Sequence, residues 1–208
     1  MKLIELKVNE YLDILLSDAP APGGGSVSAL AGAQGAALMA MVCDLTTSKE
    51  KYAAEHELCA GIREKAGVLY EGFAKAVDDD TAAFNLVSAA FKMPKGTDEE
   101  KAARKKAIAD GTLEATKVPF HVMEMAREGL DLAEKLQGHY NRNCDSDYGV
   151  GVLNLMTCMQ GAWLNVKINL PGVKDEALAE EYAKAGKAML EEGEVIARRI
   201  YGEIEEGL

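Results

Sequence analysis

The sequence predicts an all-α bundle of about six mostly long helices. Strand signals are almost absent, and apolar residues recur at three- and four-residue spacing for most of the length. Helix punctuation, in the form of Pro/Gly loops and a capping box, divides the chain into about six such stretches. At 208 residues it suits one domain, 1–208, with enough chain to bury a sizeable core.

The first helix is expected over Ile4 to Leu16, closed by the loop "SDAPAPGGG". Ser26 is then placed to cap a second helix running to about Thr47, built from "VSALAGAQGAALMAMVCDL". Its small residues Ala29, Gly32, Ala33, Ala36 and Ala40 contribute little apolar area but allow close approach to another helix, while its first amides, Gly24 to Val27, are open to a polar ligand. A third helix reads from about Lys49 to Met93, stopped by Pro94. At ~1.5 Å per residue it would span on the order of 60 Å, more than a compact domain of this size needs, so it is either broken or packed on a second subunit. "TDEE" is a capping box in which Thr97 and Glu100 satisfy one another's amides, and it starts a fourth helix to about Gln137. Pro119 lacks the amide that would bond back to Ala115, so a bend is expected there. After "GHYNRNC", a fifth helix starts at Asp145 or Ser146 and ends at "NLPG"; the last runs from about Lys174 to Glu206.

The net charge of −11 argues against a nucleic-acid binder, since phosphate backbones are held by clustered Lys and Arg, and any anionic ligand would need a local basic site. Only Val27 to Cys43 approaches the length of a membrane span, and it is weakly apolar for that length, so no membrane is expected. Four cysteines without a C-x-x-C pair read as free thiols of a reducing compartment, the cytoplasm. None of His56, His121 and His139 follows a Glu by three residues, so no di-iron motif and no metal site is predicted. The glycine loop cannot be written as a G-x-x-x-x-G-K-[ST] phosphate loop.

Two polar features sit on apolar faces. Leu58, Ile62, Ala66, Leu69, Phe73, Val77, Asp80, Phe84, Val87 and Phe91 follow helical steps along the third helix, so Asp80 falls on a buried stripe. Desolvation raises the proton affinity of such a carboxylate, which suits acid/base chemistry near neutral pH; a buried Asp that caps or crosslinks a neighbouring helix fits the same position. Asp78 points away, where solvated charge is expected. Along the fifth helix, Asp147, Gly151, Asn154, Cys158, Gly161, Asn165 and Asn169 form a second row, which reads either as a ligand-facing wall or as polar contact between helices.

"APAPGGGSVSALAGAQGAALMAMV", "VDDDTAAFNLVSAAFKMPKGTDEEKAAR", "VPF", "NRNCDSDYGVGV" and "NVKINL", in that order, resemble the formimidoyltetrahydrofolate cyclodeaminase / methenyltetrahydrofolate cyclohydrolase family and cover nearly the whole chain. The resemblance implies an all-helical homodimer that binds a tetrahydrofolate derivative as substrate, polyglutamylated forms included, with no prosthetic group. With no formiminotransferase domain in the sequence, it implies the free-standing bacterial form, acting in histidine-derived or other one-carbon metabolism. Carried over by position, the matched residues are Gly24, Gly25 and Ser26 in the glycine loop, Asp78, Asp80, Lys95, Arg104, Asn141, Ser146, Asp147, Asn165 and Asn169.

Two reactions follow from the resemblance: closure of formimidoyltetrahydrofolate to methenyltetrahydrofolate with loss of ammonia, and hydrolysis of methenyltetrahydrofolate to formyltetrahydrofolate. Both pass through a tetrahedral carbon beside positive charge, which a buried carboxylate serves by stabilising the cation and moving a proton. Asp80 is the first candidate for that role, Asp147 the second and Asp78 the third. Asn165 and Asn169 would orient the pterin, and Lys95 and Arg104 would meet the anionic glutamate tail. A helical folate-binding or interaction protein without turnover is the alternative.

Overall fold

The computed structural model describes residues 2–208, and among these all regular structure is helical. Six α-helices follow in order: α1 (Val8–Leu16), α2 (Gly24–Thr47), α3 (His56–Lys92), α4 (Asp98–Leu136), α5 (Asp145–Asn169) and α6 (Glu176–Gly207). Short 3₁₀ turns lie at Leu3–Glu5, Glu50–Glu55, Arg142–Cys144 and Leu170–Gly172.

Two predicted helices are shorter than periodicity suggested. The first is divided at Leu6 and Lys7, whose extended backbone separates the 3₁₀ turn from α1. The third begins only at His56, because Tyr52 leaves helical geometry (φ −108°, ψ 22°) inside the preceding turn. At about 1.5 Å per residue, α3 and α4 are still each more than 50 Å long.

The Thr97–Glu100 capping box forms as read: the Glu100 amide donates to Thr97 Oγ1 at 3.2 Å, and the Thr97 amide donates to Glu100 at 3.1 Å. α4 runs through Pro119 as one helix. The Ala115 carbonyl left without its usual amide accepts instead from Asn169 Nδ2 of α5 at 2.8 Å, so a side chain repairs the gap.

The centre of the bundle is the antiparallel pair α2 and α5, and small residues set its spacing. A Cβ on Gly32 would fall 2.8 Å from Cys158 Sγ, one on Gly35 would fall 2.8 Å from the Gly151 carbonyl, and one on Gly161 would fall 2.2 Å from Ser28 Oγ. The small and polar row of α5 therefore packs on the Gly/Ala face of α2. α2 is long and apolar enough to cross a membrane, but two-thirds of its most apolar stretch is buried inside the bundle. α3 packs along the other side of α2, placing Cys59, Ile62, Ala66, Leu69, Phe73 and Val77 in the core.

The expected buried stripe on α3 ends at Asp80. Beyond it Phe84 and Phe91 are 39% and 57% exposed, because α2 begins at Gly24, opposite Asp80, and no longer covers that face.

Candidate active site

The glycine loop brings the start of α2 against the middle of α3. Ser26 is not the cap that the sequence suggested: Gly23 holds that position and Ser26 lies inside the first turn. Its hydroxyl, wholly buried, donates to the Val77 carbonyl at 2.7 Å. The missing cap comes from α3, where Asp80 Oδ2 accepts from the Ser26 amide at 3.0 Å and from its hydroxyl at 3.3 Å. Gly25 makes room for this, since a Cβ there would sit 1.9 Å from Asp80 Oδ1. On the other side, Asn165 Nδ2 lies 3.4 Å from where a Gly24 Cβ would be. Gly24, Gly25, Ser26, Asp80 and Asn165 are thus one cluster.

Burial raises the Asp80 carboxyl above the ordinary aspartate value, and the two Ser26 bonds only partly oppose it. Oδ1 takes no hydrogen bond from the described residues. One oxygen therefore caps α2 while the other is open to accept a proton from a ligand.

Its neighbours in the sequence have other duties. Asp79 pairs with Lys75 on the same helix. Asp78 is half-buried and not merely solvated, because its carboxylate accepts from the Leu3 amide at 2.6 Å and the Ile4 amide at 3.4 Å, pinning the N-terminal turn to α3. Both Nδ2 hydrogens of Asn169 are spent, on the carbonyls of Ala115 and Asn165, so that side chain is primarily a brace.

Farther along α3, the exposed faces of Phe84 and Phe91 lead to a basic cavity of about 350 Å³ lined by Lys95, Lys101, Arg104, Lys105, Ile108 and Lys174. Five cations in one hollow stand out on a chain of net charge −11. Lys101 is paired with Asp98 at 2.9 Å. The Arg104 guanidinium lies over the Phe91 ring, 5.6 Å from its centroid, and donates to the Phe91 carbonyl at 3.2 Å. Its Nε is buried without a partner, leaving a donor unused. From Asp80 to Phe91 the axial rise of α3 is about 16 Å.

The family model described as formiminotransferase-cyclodeaminase matches residues 7–188. The chain belongs to this family. It is 41% identical over 194 residues to the methenyltetrahydrofolate cyclohydrolase of Methylorubrum extorquens, with 93% of each chain covered. It is 30% identical over 206 residues to the formimidoyltransferase-cyclodeaminase of Rattus norvegicus, matching 98% of this chain but 38% of that longer protein. Its fold superimposes on the crystal structure of formiminotetrahydrofolate cyclodeaminase from Thermotoga maritima with a TM-score of 0.80 at 26% identity, covering 99% and 96% of the two chains.

Not all motif residues that suggested the cyclodeaminase family meet at Asp80. Asn141, Ser146 and Asp147 lie at the other end of the central pair, where α5 starts; from Asp147 to Asn165 is about 27 Å along the helix. Asn141 is buried and fully engaged: its amide donates to Thr46 Oγ1 at 2.9 Å, its Nδ2 to the Leu45 carbonyl at 3.4 Å, and its Oδ1 accepts from Tyr52 at 3.0 Å. Ser146 is exposed and Asp147 half-buried. The spacing along α5 sets Asp147 far from Asn165, but only the fold shows that Asp80 sits at the Asn165 end.

Tyr11 of α1 was given no role by the sequence. It is 6% exposed, its hydroxyl is buried without a partner, and its phenol is raised by burial and then by the charge of Asp80. Among the described residues, no three His, Cys, Asp or Glu side chains converge as a metal site requires. All four cysteines are buried, and burial pushes the Cys43 thiol up to about 12, far from a reactive thiolate.

Proposed function

We propose that this chain is a tetrahydrofolate one-carbon enzyme of the cyclodeaminase/cyclohydrolase type, with Asp80 as its acid/base group. The observation that carries the reading is the Asp80 carboxylate itself: desolvated, fixed through Oδ2 by Ser26, and unclaimed at Oδ1. In hydrolysis, the ionised carboxylate takes a proton from water as the water attacks the cationic methenyl carbon. That proton passes to the folate nitrogen as the carbon–nitrogen bond opens, and the added hydroxyl gives its own proton to the carboxylate as the formyl carbonyl forms, to be released to solvent. In cyclodeamination, the same group serves the tetrahedral carbon that expels ammonia. A carboxylate beside the cationic carbon also stabilises its charge in a low-dielectric site.

The surface beyond Asp80 supports a folate-shaped ligand. The pterin end is assigned to Gly24 and Asn165, with the buried Gly25 and Ser26 behind them holding Asp80 in place and not touching the ligand; the aminobenzoyl ring is assigned to the exposed Phe84 and Phe91, and the glutamate tail to Lys95 and Arg104. The distance of about 16 Å along α3 suits a ligand with a heterocycle at one end and carboxylates at the other. The full-length similarity to a cyclohydrolase favours hydrolysis of methenyltetrahydrofolate as the first reaction to assay.

Within one chain the acid/base role rests on Asp80. Asp147 could enter that site only from a second copy packed head to tail, and the proposed homodimer would use the apolar side chains left exposed on the long helices, among them Val27, Met41, Leu45 and Tyr70. Four free buried thiols fit a reducing cytoplasm. The direct test is to incubate purified protein with methenyltetrahydrofolate and follow loss of its near-ultraviolet absorbance, and with formimidoyltetrahydrofolate to follow its gain. Neither change above the spontaneous rate would leave a binding protein without turnover.

A further inference from the structure

We propose that the active site is shared between two copies of this chain, with Asp147 of the partner subunit closing the pocket of Asp80 and Asn165 and accepting from the N–H donors of the pterin ring. The inference rests on the reading of Asp80 above and adds a carboxylate that a single chain holds at the far end of α5.

The neighbouring helices cover the central pair α2 and α5 except on one side. Val27, Gln34, Ala37, Met41 and Leu45 are exposed at helical steps along α2, and Val150, Leu153, Thr157, Leu164 and Ile168 along α5. Each stripe is turned away from the core, so on two adjacent helices they make one face. None of these side chains is charged, although 27% of the chain is. At ~1.5 Å per residue and a width of about 10 Å per helix, the face measures on the order of 700 Å², near the ~800 Å² per partner of a stable interface.

The same face is self-complementary. The furrow between α2 and α3 is bridged in its first half by α1, whose Val8 and Leu12 line a cavity with Leu30, Gln34 and Val77. This helix stands out as a ridge, with Val8 and Leu16 78% and 86% exposed. The second half of the furrow is an open groove of about 360 Å³ lined by Ala37, Ala40, Met41, Leu45, Gly67 and Tyr70, among others. A second copy turned end for end, about an axis across the middle of α2, lays its ridge in this groove and receives this chain's ridge in its own.

That arrangement sets the two ends of the central pair side by side. Asn141 is tied to the last turn of α2 through Thr46 and Leu45, so the start of α5 is level with that turn. Antiparallel packing of two α2 helices brings it level with Gly24 of the other chain. Because Gly32 meets Cys158 and Gly35 meets Gly151 and Leu155, the axis crosses α5 near Asn154, and Asp147 of the partner subunit falls about one turn from Asn165. Asp147 is half-buried, and the cation nearest to it in sequence, Arg142, is engaged by Asp145 at 3.2 Å. Its carboxylate is therefore free to take the adjacent N–H donors of a pterin ring seated at Gly24 and Asn165.

The test is a heterodimer of Asp80→Asn and Asp147→Ala chains, isolated through two different affinity tags and assayed with methenyltetrahydrofolate. The proposal expects kcat/KM to fall at least tenfold in each variant alone, in Asp147→Ala mainly through a raised KM, with its melting temperature close to the parent's. One of the two sites in the heterodimer keeps both Asp80 and Asp147 of the partner subunit, so about half the parent activity per dimer is expected. Asp147→Asn, which keeps the side-chain shape, is carried through the same pairing, so that a folding loss in the Ala variant does not decide the outcome. A heterodimer no more active than the Asp147 variants alone, or a chain that yields no heterodimer, overturns the sharing and leaves the role of Asp80 standing. Undiminished activity in both Asp147 variants overturns it as well. Full activity in Asp80→Asn removes the reading beneath.

Discussion

Burial raises the Asp80 carboxyl and the Ser26 bonds only partly offset it, so folding disfavours its ionised form. The stability linked to this group is fully present below its unfolded pKa of about 3.9 and is lost as pH rises through the higher folded value. Asp80→Asn should therefore melt at or above the parent temperature at neutral pH, since its carbonyl can still accept from Ser26. That advantage should shrink as pH is lowered toward 4, and thermal melts across pH check it. A drop of many degrees at neutral pH would make Asp80 a crosslink first. For the same reason, the acid limb of kcat/KM should fall above the ordinary aspartate range. Asp80 was legible because it interrupts an apolar stripe within one helix. The role of Asp78 was not, because the Leu3 amide that it holds belongs to a segment far away in the chain.

At the level of elements, local chemistry announced the helix count, the Thr97 capping box and the unpaired Ala115 carbonyl opposite Pro119. Local chemistry offered Asp80 as a cap for a neighbouring helix but could not say that the helix is α2 with Ser26 inside its first turn, that Tyr52 would break the start of α3, or that Phe84 and Phe91 would turn outward, since each depends on where another helix starts or ends. The Asn169 bridge makes a testable link between two elements. Asn169→Ala strands the Ala115 carbonyl and should destabilise the fold by about 1–3 kcal/mol. Restoring a backbone amide with Pro119→Ala should make that loss smaller in the double variant, as measured by chemical denaturation of the four proteins. An equal loss in both backgrounds would show that the bridge does not answer the proline.

Across the whole molecule, the α2–α5 seam fixes two distant ends, one holding the Asp80 cluster and the other the buried Asn141 and Asp145. The glycine loop and the aspartate on an apolar stripe could each be read from sequence, whereas their meeting, and the separation of Asp147 from them, required the fold. If the basic hollow holds the glutamate tail, Lys95→Ala should weaken binding of polyglutamylated folate far more than monoglutamate, and added salt should mimic the change; equal losses would place Lys95 elsewhere. Light scattering at micromolar concentration should give twice the 22.3 kDa chain mass, and a monomer would remove the proposed homodimer. The central claim is that Asp80 performs chemistry on a folate one-carbon unit. It is tested most directly by the initial rate of methenyltetrahydrofolate absorbance loss with equal amounts of folded parent and Asp80→Asn protein. The account predicts consumption well above the spontaneous rate for the parent and a rate close to spontaneous for the variant; equal rates for the two proteins would contradict it.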